Sequence, residues 1–273
     1  MANRLQVILP SVINEFQSAF VPGRLISDNI ILGFETLHWM QNHRQSRRGY
    51  AALKLDMSKA YDRVEWNFSE AIVRSLGFDQ SWVEKIMKCV RSVTFSFKLN
   101  QHSFGALKPH RGIRQGDPLS PYLFALVSQG LSSLLIHAKQ KKFFRGIRIA
   151  NNCRSISHLF FADDSLVFFR ADTQDAVHIQ NVLQIYEKAL GQVINFDKSS
   201  LSFSPNTLPE VASSIKNVFK MTVVQGHEVY LGLHTFSARS KRTQFGYLKE
   251  KVADKIQSWR HKYFSEGGRK VLL

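Results

Sequence analysis

His158-Leu159-Phe160-Phe161-Ala162-Asp163-Asp164-Ser165-Leu166-Val167-Phe168-Phe169 sets two adjacent acids between two apolar arms. Arms of this length, rich in aromatic residues, read as strands. In a regular strand neighbouring side chains point to opposite faces. Asp163 and Asp164 therefore approach one site only at a tight turn, which predicts a hairpin with the acid pair at its tip. Two carboxylates held together repel and raise a pKa unless cations neutralise them. Hard oxygen ligands of this type suit Mg²⁺. Seen alone, an Asp-Asp pair between strands is more often a solvated turn.

One more carboxylate would complete a two-metal site, and Asp56 is the candidate. It ends the short apolar run Ala51-Ala52-Leu53-Lys54-Leu55, which reads as a strand. Two Mg²⁺ ions about 3.5–4 Å apart would clamp an in-line phosphoryl transfer. One ion would activate the attacking hydroxyl and the other would stabilise the leaving group. Taken alone, Asp56 reads as readily as a helix cap or a surface acid.

The surrounding pattern mixes helices and strands. Leu25 to Met40 has helical spacing, with Ile26, Ile30, Phe34 and Leu37 on one stripe. Arg44 to Gly49 reads as a polar, basic turn, and Trp66 to Leu76 as a helix. Ser81 and Glu84 have capping-box spacing, and the helix that follows would turn Val83, Ile86, Met87 and Val90 inward. Phe95 to Leu99 alternates like a strand, with Asn100-Gln101 as the turn into a partner. Gly112 to Pro121 is a loop rich in breakers. Ser120 and Pro121 suit the cap and first position of a helix from Tyr122 to Lys139, with Leu123, Val127, Leu131 and Leu134 on its apolar face. Gln174 to Leu190 is helical, Gln192 to Phe203 predicts a strand pair, and a basic helix follows Ser240. Its Phe245, Leu248, Val252, Ile256 and Trp259 recur at helical spacing. The predicted fold class is α+β.

Bulk properties narrow the partners. The 273 residues are 44% hydrophobic and 21% charged, which excludes a disordered composition. Lys and Arg outnumber Asp and Glu by 37 to 21, a net charge of +16. That excess favours a polyanion or an anionic membrane surface. There is no run of eighteen apolar residues and no signal peptide at Met1, so no membrane partner is expected. Cys89 and Cys153 stand alone, which speaks against a zinc module and a disulfide framework. A nuclear or cytoplasmic protein, rather than a secreted one, is the expectation. Oligomeric state is not readable.

Four blocks together resemble a reverse transcriptase of the LINE (non-LTR retrotransposon) type found in plant genomes. They are Gln17-Ser18-Ala19-Phe20-Val21-Pro22-Gly23-Arg24 followed by Asp28-Asn29-Ile30; Leu55-Asp56-Met57-Ser58-Lys59-Ala60-Tyr61-Asp62-Arg63-Val64; Gly112-Ile113-Arg114-Gln115-Gly116-Asp117-Pro118-Leu119-Ser120-Pro121; and Phe161-Ala162-Asp163-Asp164. Asn195-Phe196-Asp197-Lys198-Ser199 and Tyr230-Leu231-Gly232-Leu233 also look like the family. The order and spacing of the blocks carry the resemblance over essentially the whole chain.

The resemblance implies a right-hand polymerase palm with partial fingers over residues 1–205, then the palm's end and the start of a thumb over 206–273. It implies RNA-directed DNA polymerase activity: dNTPs added to a DNA primer on an RNA template, with two Mg²⁺ ions or Mn²⁺ in their place. Asp56, Asp163 and Asp164 resemble the metal-binding triad, and the Met57 carbonyl would sit beside Asp56. Tyr61 looks like the gate that excludes a ribose 2′-hydroxyl, although a core tyrosine is the plain alternative. Gln115-Gly116 resemble the nucleotide-pocket lining, where glycine lets backbone approach a ligand; Asp117-Pro118 read nearly as well as turn residues. Arg24 would contact the triphosphate, or is an exposed loop arginine. Lys198 would help protonate the pyrophosphate, or is a surface lysine. The basic helix after Ser240 would grip the primer–template backbone, or is a solvated face.

The family's fingers usually begin well before Met1, an endonuclease domain usually lies further upstream, and the Tyr230 block usually continues with Pro where His234 stands. The expectation is therefore a fragment. The rival reading is an inactive nucleic-acid-binding remnant of such a protein. A group II intron maturase fits the Gly112 block and the segment after Tyr230 less well, and a two-metal nuclease has no use for Gln115-Gly116.

Overall fold

The computed structural model describes residues 1–44, 48–225, 229–234 and 241–260. In chain order the elements are α1 Ala2–Val12, α2 Ile26–Asn42, β1 Tyr50–Leu55, α3 Trp66–Ser75, α4 Gln80–Arg91, β2 Phe95–Leu99, β3 His102–Leu107 and α5 Ser120–Gln140. Then follow β4 His158–Phe161, β5 Asp164–Arg170, α6 Thr173–Leu190, β6 Ser200–Phe203, α7 Pro209–Phe219, β7 Thr222–Val223, β8 Val229–Tyr230, β9 Leu233–His234 and α8 Lys241–Arg260. The mixed helix and sheet architecture is α+β, as expected.

The main sheet runs β4-β5-β1-β6-β7. Its first four strands are antiparallel neighbours, and β7 joins β6 in parallel. The period of two along these strands builds two cores. Ala51, Leu53, Leu55, Val167, Phe169 and Leu201 share one core with α3, α5 and α6. Ala52, Leu166 and Phe168 share the other with Leu37, Met40 and Tyr230. With both faces covered, these strands read as unbroken apolar runs rather than as alternating ones.

Helix α5 is the axis of the first core. Positions 123–132 are all buried, so the helix is enclosed on every side along this stretch. It is also the one described helix long and apolar enough to cross a membrane, but two thirds of that stretch is packed inside the protein, as in a core helix.

Several local expectations change. The hairpin tip is Ala162-Asp163, with Phe161 paired to Asp164, so Asp164 is the first residue of β5 rather than part of the tip. Ala162 has φ 53°, the left-handed region that the first position of a tight hairpin loop requires. Helix α4 is capped by Asp79, whose Oδ1 accepts from the Ser81 N–H at 2.9 Å, rather than by Ser81. Ser120 is the first residue of α5 and does not cap it; Asp117 instead accepts from the Leu119 N–H at 2.8 Å. Residues 192–199 form an irregular loop, so the expected strand pair there reduces to β6.

The buried side of α2 is also rotated from the apolar stripe. It carries Asn29, Gly33, Thr36, Leu37 and Met40, and Ile26 is exposed. The cause is Tyr230, which packs so close that a Cβ at Gly33 would lie 2.9 Å from its ring. Helix α8 forms as expected, but Val252 and Ile256 are exposed. The side chains of Phe245, Leu248 and Trp259, Ser240 and the stretch beyond Arg260 lie outside the described residues, as does the middle of the basic turn after Arg44.

Gly112 joins the third sequence block to the second. Its N–H donates to the Val64 carbonyl at 2.8 Å, and the Ile113 N–H donates to Tyr61 at 2.9 Å. Its φ is 88°, and a Cβ there would lie 2.8 Å from the Asp62 carbonyl oxygen. Gly112→Ala should cost about 1–3 kcal/mol for the backbone conformation alone, and the close approach adds to that. Urea denaturation checks it; an unchanged midpoint would mean that the loop is not held this way.

Candidate active site

The three acids meet at one end of the sheet. Antiparallel β1 and β5 pair Leu55 with Ser165, and continuing that register by one residue sets Asp56 opposite Asp164. Opposite residues on antiparallel strands share a face. Asp163 follows from the adjoining turn. Asp164 is held above the ordinary carboxylate range, first by burial, then by the charge of Asp163; Lys54 acts against the shift and Asp56 adds to it. Asp163 is exposed, whereas Asp56 and Asp164 are half-buried.

Among the described residues, no three His, Cys, Asp or Glu side chains are gathered into a ready metal cage. The acids are electrostatic neighbours without being a formed coordination shell. Their donor chemistry, carboxylate oxygens with no nitrogen or sulfur, suits a hard divalent cation.

Each acid is positioned by its neighbours. The Asp56 N–H donates to Ser199 Oγ at 3.1 Å and its carbonyl accepts from the Asn195 N–H at 2.9 Å. The Ser58 N–H donates to Val193 at 2.9 Å, and Gln192 Nε2 donates to the Ala60 carbonyl at 2.6 Å. The loop 192–199 thus clamps the exit of β1. Met57 bridges to Ile194, and the bridge uses the Asp56 carbonyl and Ser58 N–H, leaving the Met57 carbonyl outside it. Lys198 is exposed in this same loop, where its N–H closes a turn onto Asn195.

On the other side, buried Gln17 steadies the acid-bearing turn. Its Oε1 accepts from the Ala19 N–H at 2.9 Å and the Ala162 N–H at 3.3 Å, and its Nε2 donates to Ser128 of α5 at 3.1 Å. Asn29 donates to the Phe160 carbonyl at 3.0 Å and accepts from Tyr230 Oη at 2.7 Å. Tyr230 is itself pushed up by burial and then by the Asp164 charge, which places it on the site's border. His158, at the start of β4, is buried between Ser132 and Ser157, and burial brings its pKa down to about 3.

Tyr61 stacks flat on Phe124, ring centroids 4.7 Å apart. Burial, followed by the charge of Asp163, pushes its pKa up to about 12. Its ring is therefore close to the acids while anchored on α5. Gln115 and Gly116 are exposed; Gly116 has φ 85°, and nothing lies within 4 Å of where a Cβ would stand. Gln115 borders a cleft of about 430 Å³ together with Arg111, Arg114 and Asp117, and none of the three acids lines that cleft. Arg24 directs its guanidinium inward, donating to the carbonyls of Ile13, Asn14 and Gln17.

The structure therefore brings Asp56, Met57, Tyr61, Asp163, Asp164 and the Lys198 loop to one region, and places Arg24 in a structural bond network behind it. Gln17, Asn29, Ser199 and Tyr230 went without assigned roles in the sequence. Each stands in one of the blocks that carry the resemblance, which is the signal the sequence offered.

The chain matches the reverse transcriptase (RNA-dependent DNA polymerase) family over residues 1–248 and belongs to it. It is 28% identical to the transposon TX1 uncharacterized 149 kDa protein of Xenopus laevis, over 99% of this chain and 20% of that protein. It is 25% identical to the Pol polyprotein of the type-2 retrotransposable element R2DM of Drosophila melanogaster, over 85% of this chain and 20% of that polyprotein. The chain thus spans about a fifth of the length of these relatives, which are retrotransposon proteins. Among solved structures, a telomerase from Candida tropicalis in complex with a TWJ fragment of telomeric RNA superposes with a TM-score of 0.54, at 14% identity, covering 92% of this chain and 40% of that one. That likeness shows the polymerase palm fold.

The raised Asp164 pKa has a definite sign for stability. A carboxylate whose folded pKa lies above its unfolded value destabilises the fold while ionised, and the fold gains stability as pH falls through the folded pKa. Asp164→Asn should therefore raise the urea midpoint at neutral pH, and the gain should vanish below the ordinary carboxylate pKa. A lower midpoint at neutral pH would contradict the placement of the three charges.

Proposed function

We propose that this chain is the catalytic part of a larger RNA-directed DNA polymerase. It would extend a DNA primer along an RNA template with dNTPs. The observation that carries the reading is the β1–β5 register, which sets Asp56 opposite Asp164 beside Asp163. Membership of the reverse transcriptase family supports it. In this reading residues 1–205 supply partial fingers and palm, and residues 206–273 supply the palm's end and the start of the thumb. Basic α8 would lie along the primer–template backbone.

Asp56, Asp163 and Asp164, with the Met57 carbonyl, would hold two Mg²⁺ ions, and Mn²⁺ could replace them. Bound there, the ions would activate the primer 3′-hydroxyl and neutralise the departing pyrophosphate. The protein's own groups do the rest. Tyr61, braced by Phe124, would lie under the incoming sugar and reject a 2′-hydroxyl by bulk. The Gln115-Gly116 backbone would approach the nucleotide, and Lys198 would offer a proton to the pyrophosphate. Arg24, with its donors directed at three carbonyls, is assigned to holding the segment that carries Gln17 rather than to the triphosphate.

The net charge of +16 would serve equally a second reading, a nucleic-acid-binding remnant without turnover. Primer extension on an RNA template with Mg²⁺ and dNTPs separates the two. The proposal expects extension by the parent chain and none by the Asp163→Asn, Asp164→Asn double variant. Binding without extension by either chain would establish the remnant. Among active chains, Tyr61→Ala should raise ribonucleotide incorporation by at least an order of magnitude, on the order of the 1–3 kcal/mol attached to a single pocket contact. Unchanged sugar selection would remove Tyr61 from the gate.

A further inference from the structure

The hairpin β2–β3 differs from the rest of the molecule in both exposure and charge. Every residue of the two strands is exposed. The register sets Phe97 opposite Phe104 and Leu99 opposite His102. Opposed residues share a face of the ribbon, so these side chains form one row. Phe97 is 63% exposed and Phe104 53%, and the His102 ring stands edge-on to Phe104 with centroids 6.4 Å apart. A two-stranded ribbon with an apolar face is marginal by itself in water, and a patch of this kind marks a site of interaction.

Charge indicates the partner. From residue 85 to residue 116 the chain carries Lys85, Lys88, Arg91, Lys98, Lys108, Arg111 and Arg114, and no Asp or Glu. All seven cations are exposed. Arg91 pairs with Glu70 and Arg111 with Glu65, while Lys98, Lys108 and Arg114 form no ion pair among the described residues. A stretch with seven exposed cations is not needed to pack two apolar protein faces together. It is what a chain of phosphates needs, and flat exposed rings suit unpaired bases. The ribbon is also continuous with the Gln115 loop, through a cleft bordered by Phe95, Arg111, Arg114 and Gln115.

We propose that the β2–β3 ribbon is a contact surface for single-stranded nucleic acid, with Phe97 and Phe104 stacking on unpaired bases and Lys108 and Arg114, beyond the end of β3, facing the phosphates. The choice of partner rests on the polymerase reading, but the site lies apart from the acids and its binding requires neither metal nor nucleotide.

The test is fluorescence anisotropy of a labelled single-stranded oligoribonucleotide and of an RNA duplex with the full chain, without divalent metal or dNTPs. Phe97→Leu, Phe104→Leu keeps the face apolar but removes the rings. It should weaken single-strand binding about tenfold or more, the scale of one lost base–aromatic stack, and leave duplex binding nearly unchanged. Lys108→Ala should flatten the dependence of log affinity on log salt by about 0.7 for one phosphate contact. Circular dichroism of each variant should match that of the parent, since the replaced side chains are exposed. Parent-like single-strand binding by the double Leu variant, or equal losses on strand and duplex, would overturn the proposal and leave the ribbon as a protein-packing surface. A chain that binds in this way yet fails to extend a primer would defeat the polymerase reading and leave the ribbon site standing.

Discussion

Carboxylates do not gather of their own accord. Bringing Asp56, Asp163 and Asp164 together sets like charges side by side where burial strips away part of the water. The raised Asp164 pKa records that cost. The energy that opposes it comes from the apolar ladder behind the acids. Leu53 and Leu55 of β1 face Val167 and Ser165 of β5, and Leu201 of β6 flanks them. A slip of one residue between β1 and β5 would turn every apolar side chain to the wrong face. The register that builds the two cores therefore also sets Asp56 opposite Asp164.

The ladder fixes where the strands end but not how their last residues are aimed. Two polar networks supply that. On one side the loop 192–199 binds the backbone of Asp56 through Ser199 and Asn195. On the other, Gln17 spans from Ser128 of α5 to the Ala162 N–H in the left-handed turn. Arg24 holds the Gln17 segment in turn, by donating to the carbonyls of Ile13, Asn14 and Gln17. Buried polar groups of this kind specify geometry because each one left unpaired is costly. Segments more than a hundred residues apart are tied to the same turn, and a single helix, α5, supports both Tyr61 and Gln17.

The acid-bearing hairpin, the strand ending in Asp56 and the long helices could be read in the sequence because each follows one physical rule: apolar arms around a turn, an apolar run, a helical period. The errors arose where a different force decided. Ser81 had the spacing of a cap, but Asp79 lies two residues ahead and its carboxylate accepts from both the N–H and the hydroxyl of Ser81, so the helix starts earlier. The apolar stripe of α2 pointed to Ile26, whereas the packed side follows Gly33 and Asn29 because Tyr230, two hundred residues away, fits against them. The loop at 192–199 has strand-like composition, yet its hydrogen bonds go to the exit of β1 instead of to a partner strand. Helix α7 carries a Pro209 start and an apolar side formed by Ile215 and Phe219, both of them local sequence signals. Arg24 looked like a ligand for phosphate, and no local pattern foretold the three carbonyls that occupy it.

The central claim is that the acids at the end of β1 and β5 form one site for a divalent cation. Localised backbone cleavage measures it directly: Fe²⁺ replaces Mg²⁺ on the full chain, ascorbate and peroxide generate hydroxyl radicals at the bound ion, and the cut positions are mapped. The account predicts cuts beside Asp56 and beside Asp163, suppressed by excess Mg²⁺ and absent from the Asp163→Asn, Asp164→Asn variant. Cuts confined to one of these segments, or unaffected by Mg²⁺ and by the substitutions, would contradict it.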